Sequence, residues 1–415
     1  MGELDQADGS ASPAIADAPR LARRTMRWRT EALSSGFDAV GLRSVRETTT
    51  SVCCEANGAS SVGRRSERRL EAEVARGGRT STLSTTDLSD EQVRSELSSV
   101  RTFMERGAPE LFGAPVSSRL EPAPVGPFDG LSLTDPTLVR PESDVLLGYA
   151  EAISRPATAT VAITARTRAE AVARTDGGLV AVRHTRVDVD VHTDHGVMRR
   201  SARFWIDLPR PSEWTEMLGQ LAMLRLAEPT RLPDAPVRMI VHPSAGPPLV
   251  RALVALPLRT QRLSSRLTIW SDPWVSRGVG SLPFDRHGQA TLPLPLLEGG
   301  LQRRRWLGPG AQPGNLRVSR GGRSLDRLLR ESDDAVLVRH WHTIEVEPDS
   351  GRMQLVGCGW RVLRGERVHP LPTIVLRGSV PALFGSLVQV GREPYIRGLA
   401  HTPALVFEPV RLTAD

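Results

Sequence analysis

Nine histidines and three cysteines are the side chains with which this 415-residue chain could hold a transition metal or build a nucleophile. A zinc hydrolase needs two histidines one helical turn apart, so that both imidazoles reach one ion. It also needs a glutamate beside the first, to activate the bound water. The residues that follow the nine histidines are Thr185, Thr193, Gly196, Pro243, Gly288, Trp341, Thr343, Pro370 and Thr402, so the chain contains no His-Glu dipeptide. Cys53, Cys54 and Cys358 supply neither a C-x-x-C zinc site nor a disulfide framework. All 54 basic residues are arginine. The absence of lysine removes Walker-type phosphate binding, Schiff-base catalysis and the kinase lysine together. No G-x-S-x-G elbow and no G-x-G-x-x-G dinucleotide loop is present, and Tyr149 and Tyr395 leave little scope for a phenolic acid.

Three groupings remain. Asp188, Asp190, His192, Asp194 and His195 place acids and imidazole along one strand face, opposite Val187, Val189 and Val191. The same alternation is the signature of a half-exposed strand, and a solvated face is the reading adopted. His340 and His342 share another strand face beside Trp341, and Cys358 sits between Gly357 and Gly359; both read as structural. The stretch Phe284-Asp285-Arg286-His287-Gly288 reads first as a shaped turn in which Asp285 accepts backbone N–H bonds.

The elements that must position these residues follow from periodicity and punctuation. Helical spacing runs from Arg20 to Leu33 and stops at Gly36; Ser89 can cap a helix through about Phe103 while Gln92 reaches back. Residues 107 to 130 are crowded with Pro and Gly and read as a surface connection. A helix over Glu142 to Ile153 precedes an antiparallel meander from Ala157 to Ile206, with turns at Asp176-Gly177-Gly178 and Asp194-His195-Gly196. Ser212 to Leu226 is helical, Pro229 to Pro236 is the boundary, and Ala245 to Leu256 is a short helix that opens a mostly β second half. The fold class is therefore α+β. Residues 1–20 read as a disordered tail, 21–229 as an N-terminal α+β domain with an antiparallel sheet, and 230–415 as a mostly β C-terminal domain.

The net charge of +7 and pI near 10.5 raise the question of nucleic acid. Complete replacement of lysine by arginine is what a GC-rich genome's codon usage gives. The basic stretches, Arg64-Arg65 with Arg68-Arg69 and Arg303-Arg304-Arg305, are short and poorly interleaved with aromatics. A solvated or partner-facing surface is the reading taken, against nucleic acid. No apolar run reaches the roughly 18 residues needed to span a bilayer, and no secretion signal opens the chain, so a cytoplasmic protein without a membrane partner is expected.

The second half keeps answering one pattern. Asp272-Pro273, Gly280-Ser281, Phe284 to Gly288, and Leu296-Leu297-Glu298-Gly299-Gly300 follow each other in the order of the third segment of the TldD/PmbA family, which the chain resembles. Downstream come Pro313 to Asn315, where that family has a T-G-N-like turn, and the short helix Ser324 to Leu329. The strand pair Gly357 to Pro370, the element Ile374 to Val390 and the closing strand His401 to Val406 complete the series. Before residue 236 the resemblance is looser, carried by Gly36-Phe37-Asp38-Ala39-Val40 and by Gly78 to Glu91.

The family divides into a metallopeptidase subunit and a partner without the metal motif. The catalytic branch carries H-E-x-x-x-H on a helix of its third segment, with a later cysteine as a further ligand. Here the corresponding helix, Ser244 to Leu256, is apolar or basic, and Leu399 to Thr402 has no thiol. The resemblance therefore implies a PmbA- or TldE-type subunit with no catalytic or metal-binding residue and no cofactor of its own. Zinc is expected in a TldD-like partner chain, and the substrate is expected to be an unfolded or modified peptide held in a shared cavity by main-chain pairing. Asp272, Phe284, Asp285 and Gly288 are the candidate residues of that cavity or peptide path. The alternatives are a modulator that binds nucleic acid or a topoisomerase, and an independent hydrolase with an unrecognised site.

Overall fold

The computed structural model describes residues 17–106, 128–194, 196–228, 232, 235–258, 261–306 and 314–413. The chain opens on α1 (Ala18–Ser34), which starts ahead of Arg20 because Asp17 caps it, accepting from the Arg20 amide at 3.4 Å. Ala18 to Arg20 thus belong to a helix and not to the expected tail, whose residues 1–16 lie outside those described. Then come β1 (Ala39–Cys54), β2 (Ser60–Arg76), β3 (Arg79–Thr85) and α2 (Asp90–Arg106). Ser89 caps α2 from its hydroxyl, but Gln92 donates forward to Glu96 at 2.9 Å instead of reaching back, and the helix runs on to Arg106. Most of the expected 107–130 connection lies outside the described residues.

The first half continues with α3 (Pro136–Val139), α4 (Ser143–Ala157), β4 (Thr160–Ala173), β5 (Leu179–Thr193), β6 (Gly196–Ala202) and α5 (Pro211–Leu226). Its six strands form one antiparallel sheet in the order β3-β2-β1-β4-β5-β6. Strand alternation divides the sheet's two faces. Leu42, Val52, Ile163, Val187, Val189 and Val191 fall on the face that the helices cover. There α1 and α2 bring Trp28, Val93 and Leu97, and α4 and α5 bring Ile153, Trp214 and Leu218. The opposite face carries a charged network in which the buried Glu170 bridges Arg43 and Arg168 at 2.7 Å each.

The second half contains β7 (Val237–Val241), α6 (Pro247–Ala255), β8 (Ile269–Asp272), β9 (Leu294–Glu298), β10 (Leu301–Gln302) and β11 (Asn315–Val318). It goes on through α7 (Leu325–Arg330), β12 (Asp334–Val346), β13 (Arg352–Leu363), β14 (Glu366–Ser379), α8 (Val380–Gly385), β15 (Leu387–Val390), β16 (Ala400–His401) and β17 (Leu405–Val410). These strands build two sheets, β10-β9-β8-β11-β16 and β14-β13-β12-β7-β17-β15. One core joins them, with Leu249, Val250, Leu253 and Val254 of α6 packed among Met239, Ile269, Leu316, Val338 and Phe407. The apolar stretches around Thr373 to Leu376, Leu387 to Val390 and Ala404 to Phe407 put Ile374, Leu376, Leu387, Val406 and Phe407 into the chain's own cores. Cys358 is fully buried where β12 bulges against β13, and burial pushes its thiol up to about 12.

Two of the contacts between the halves involve the loops after β8. Arg203, just beyond β6, is 2% exposed and has no carboxylate on it. Its guanidinium donates instead to the carbonyls of Gly278 (2.9 Å), Val279 (2.9 Å), Ser281 (2.8 Å) and Thr185 (3.3 Å). The loop can close on it only because Gly278 and Gly280 lack Cβ atoms. A Cβ on Gly278 would sit 2.5 Å from Asn315 Nδ2, and one on Gly280 would sit 2.4 Å from the Gly314 carbonyl. Asn315, wholly buried, completes the loop by accepting from the Gly280 amide and donating to the Asp272 carbonyl and the Ser281 hydroxyl.

The second contact is the Phe284–Gly288 turn. Phe284 packs with Leu131, Leu133, Val172 and Val182 on the face of the first sheet opposite the helices. Asp285 Oδ1 accepts from the amides of His287 (2.9 Å) and Gln289 (3.0 Å). Gly288 has φ +74°, and a Cβ there would press on Val172 at 3.0 Å.

Replacing Arg203 by Met strands at least three buried carbonyls. At about 1–3 kcal/mol for each unpaired group, a loss of about 3 kcal/mol or more is expected in urea denaturation; a loss under about 0.5 kcal/mol would show that the clamp contributes nothing. Asp285→Ala, which leaves two amides of a half-buried turn without their acceptor, is expected to cost about 1–3 kcal/mol by the same measurement.

Candidate functional site

Where the two halves meet, the molecule encloses a cavity of about 1200 Å³. Its walls are the end of β6 from Ser201 to Arg203, the turn Ile206-Asp207-Leu208, the loop Trp274 to Val279 that follows β8, the end of β11, and the segment from Pro394 to His401. Three arginines of this wall are paired with acids, Arg277 with Asp207 (3.2 Å), Arg397 with Glu213 (3.2 Å), and Arg317 with Asp272; Arg203, Arg210 and Arg320 also line it. Three lining side chains are large, apolar and exposed, Ile206 at 79%, Ile396 at 63% and Trp274 at 51%.

A second cavity of about 420 Å³ adjoins the first, sharing Ser201, Arg397 and Gly398 with it. It lies between β6, α5, α6 and β12. Since α6 turns its leucines and valines into the core, its contribution to this wall is Pro247, Pro248 and Arg251. From β12 come Arg339, His340 and Trp341, and from β6 come Arg199 and Arg200. The His340 ring stands edge-on to His342 with centroids 5.2 Å apart, and both crowd the β5–β6 turn at Gly196. Edge strand β6, paired on one side only with β5, thus runs past both cavities, Val197 to Ser201 on the smaller and Ser201 to Arg203 on the larger.

The residues singled out from sequence are distributed as follows. Asp272 lines the large cavity, but its carboxylate is already engaged: Oδ1 accepts from the Trp274 amide at 2.9 Å and Oδ2 meets Arg317. Phe284, Asp285 and Gly288 line neither cavity and lie in the turn against the first sheet. Asp188 is buried and held by Arg166, Arg186 and Ser201, and Asp190 is paired with Arg199, so this strand's acids serve as partners of the cavity's arginines. His192 and Asp194 are exposed; His195 lies outside the described residues. Sequence reading missed Arg200, Arg203, Arg251, Arg339, Arg397 and Asn315. The arginines are spread over five segments and look like any others in a chain with 54 basic residues, whereas Asn315 had a signal in its Pro-Gly-Asn run.

The same surroundings set the protonation of His340 and His401, which line the cavities, and of His242 beside Arg339. Burial, then the Arg339 and Arg367 charges, pulls His242 down to about 3. Burial, then His342 and Arg200, pulls His340 to about 4, and burial with Arg317 pulls His401 to about 4. His340 Nε2 is moreover buried without a hydrogen-bond partner. At pH 7 these rings are neutral both folded and unfolded. As pH falls below the unfolded value of 6.5, the unfolded chain takes up protons that the folded chain refuses until about pH 4. Stability is therefore complete above about 6.5 and lost between there and about 4, at roughly 1 kcal/mol per pH unit for each histidine. The melting temperature should drop by several degrees between pH 7 and pH 5, and His340→Gln should flatten the slope. An unchanged melting temperature over that range would contradict the assignment.

Among the described residues, no three His, Cys, Asp or Glu side chains come together as a metal ion would need, and no helix is long and apolar enough to cross a membrane. Residues 303–414 match the family model described as the PmbA/TldA metallopeptidase C-terminal domain. No curated protein matches the chain. Among solved structures, a candidate modulator of DNA gyrase from Bacteroides thetaiotaomicron superposes with a TM-score of 0.74 at 17% identity, over 96% of this chain and 99% of that one. A second candidate modulator of a DNA gyrase, from Thermotoga maritima, gives 0.74 at 18% identity over 94% and 99%. TldE from Thermococcus kodakarensis gives 0.71 at 16% identity over 94% and 99%. Residues 303–414 thus match the family's C-terminal domain in sequence, and the α+β fold is shared with these solved structures along nearly the whole chain.

Proposed function

We propose that this chain is the non-catalytic, TldE-like subunit of a cytoplasmic zinc metallopeptidase, and that it pairs with a TldD-like chain carrying the metal. The observation that supports the reading is α6. The face it turns to the cavity presents Pro247, Pro248 and Arg251, with no imidazole, thiolate or carboxylate. Zinc, which the family model's description implies, does not fit the donor set of the described residues. What this chain supplies is one wall of a chamber. At about 1200 Å³ the larger cavity exceeds the roughly 300–1,000 Å³ of small-molecule sites and suits an extended peptide. Edge strand β6 borders it with one side unpaired, so an unfolded peptide could add there by main-chain hydrogen bonds whatever its sequence.

Ile206, Trp274 and Ile396, exposed apolar side chains beside the cavity, support a partner face there. The apolar strands of the second half are consumed by the chain's own cores. Co-expression with a homologue containing H-E-x-x-x-H should give a stable complex with an interface well above about 1,000 Å² and about one zinc per pair. The isolated chain should hold no stoichiometric zinc and cleave no peptide. Tight zinc or turnover in the isolated chain, or two separate monomer peaks at micromolar concentration, would refute the assignment.

A further inference from the structure

The smaller cavity is electrically incomplete. Six arginines line it, Arg186, Arg199, Arg200, Arg251, Arg339 and Arg397, and no acidic residue does. Three have carboxylates behind the wall: Arg186 on Asp188 at 2.7 Å, Arg199 on Asp190, and Arg397 on Glu213 at 3.2 Å. For Arg200, Arg251 and Arg339 there is no carboxylate partner among the described residues. Arg339 donates to the Ser244 hydroxyl at 2.6 Å. Arg251 makes no hydrogen bond or ion pair with any described residue. Arg200 is only 9% exposed, lies over the rings of Trp214 and Tyr395, and has a buried Nε with no hydrogen-bond partner.

Like charges in so small a space repel, and burial strips Arg200, and in part Arg339, of water, while Arg251 is the exposed member of the cluster. All three unpaired guanidiniums are accordingly displaced below the ordinary arginine value, by burial first and then by one another or neighbouring arginines. A fold gains nothing from such a cluster unless an anion completes it. The planar fork of arginine is matched to carboxylate, which it can bind through two parallel hydrogen bonds.

The two cavities share the wall of Ser201, Arg397 and Gly398, so an extended occupant can run from the large one into the small one. A strand added to β6 would travel this way, passing from Arg203 towards Val197 with alternate side chains directed at the arginines. We infer that the smaller cavity is a carboxylate-binding subsite that selects acidic segments of an extended peptide bound along β6. This rests on the peptide-chamber reading above and gives it a substrate class.

The test needs neither partner nor zinc, so it can fail independently of assembly. Fluorescently labelled extended peptides of about a dozen Ser and Gly residues, with both ends blocked, are compared with and without several aspartates. A third peptide has neutral side chains and a free C-terminal carboxylate. The isolated full chain should bind one of the carboxylate peptides at least about tenfold more tightly than the blocked neutral one, a difference of about 1.4 kcal/mol. The tighter of the two identifies whether side chains or the terminus supply the anion. Binding should weaken as salt rises. Arg251→Gln and Arg339→Gln should each reduce the preference about fivefold or more, and for Arg251→Gln, whose side chain makes no bond, the melting temperature should stay the same. Equal affinity for acidic and neutral peptides would overturn the inference, as would a preference untouched by both variants. Inorganic phosphate displacing the peptide at the peptide's own dissociation constant would also overturn it. If the complex assembles while these peptides bind equally, the subsite alone fails; if the preference holds while no complex forms, the subunit assignment alone fails.

Discussion

The arrangement of the two halves turns on one guanidinium. Arg203 leaves the end of the first sheet, enters the second half and is neutralised there by no carboxylate, only by the carbonyls of Gly278, Val279, Ser281 and Thr185. Burying an isolated cation costs several kcal/mol. Hydrogen bonds to a charged group contribute about 1.5–3 kcal/mol each, so several at once offset that cost where one could not. Burial still pulls its pKa down to about 9, which leaves it charged at neutral pH. A flexible ammonium has three donors on one atom; the arginine fork spreads its donors across a plane and so holds three carbonyls of one loop, those of Gly278, Val279 and Ser281. The loop's glycines and Asn315 exist in their present form to let that happen.

From the clamp follows the cavity, and from the cavity its division into two electrical environments. Because Arg203 fixes the loop after β8 against β6, the loop's outer residues and the 394–401 segment are held apart from the first sheet by the width of the large chamber. On that side each of three arginines, Arg277, Arg317 and Arg397, has an acid opposite. Deeper in, the acids of β5 are on the far side of the wall. They hold Arg186 and Arg199 in place but leave Arg200, Arg251 and Arg339 uncompensated. Asp188 illustrates the difference between a strand pattern and its use: the alternation reads as a solvated face, yet the carboxylate is buried and works as a counter-charge for the cavity's own lining.

What could be read from sequence and what could not divides along locality. The Phe284–Gly288 turn was legible as shaped backbone, since Asp285 serves amides two and four residues on and Gly288 needs a positive φ. Its docking on Val172 was not, because that contact joins segments more than a hundred residues apart. Helix α6 was legible as an element without metal-binding side chains. The direction in which it points Arg251 was not, because that depends on which face the core takes. Hydrophobicity marks a strand for burial without saying whether its own chain or another covers it; Ile374, Leu387 and Phe407 are covered by their own chain. The arginine cavity was invisible for a plainer reason: its members come from β5, β6, α6, β12 and the 394–401 segment, and arginine is everywhere in this chain.

A fold can be kept while the chemistry of its cavity changes, because the residues that hold the fold and those that face the cavity are different ones. In α6 the two sets are interleaved on a single helix: Leu249, Val250, Leu253 and Val254 secure it in the core, and Arg251 alone of that turn looks into the chamber. A substitution at a cavity-facing position disturbs no packing, so a metal-binding face can become a cationic one at little cost in stability. The cost falls on electrostatics instead. Adding arginines to a wall without adding acids raises the free energy of the empty chamber, and that excess persists only if something anionic relieves it. Arg200, held over two aromatic rings and stripped of water, is where the excess is greatest. The wall of the smaller cavity thus offers a cation no acid and an anion six arginines.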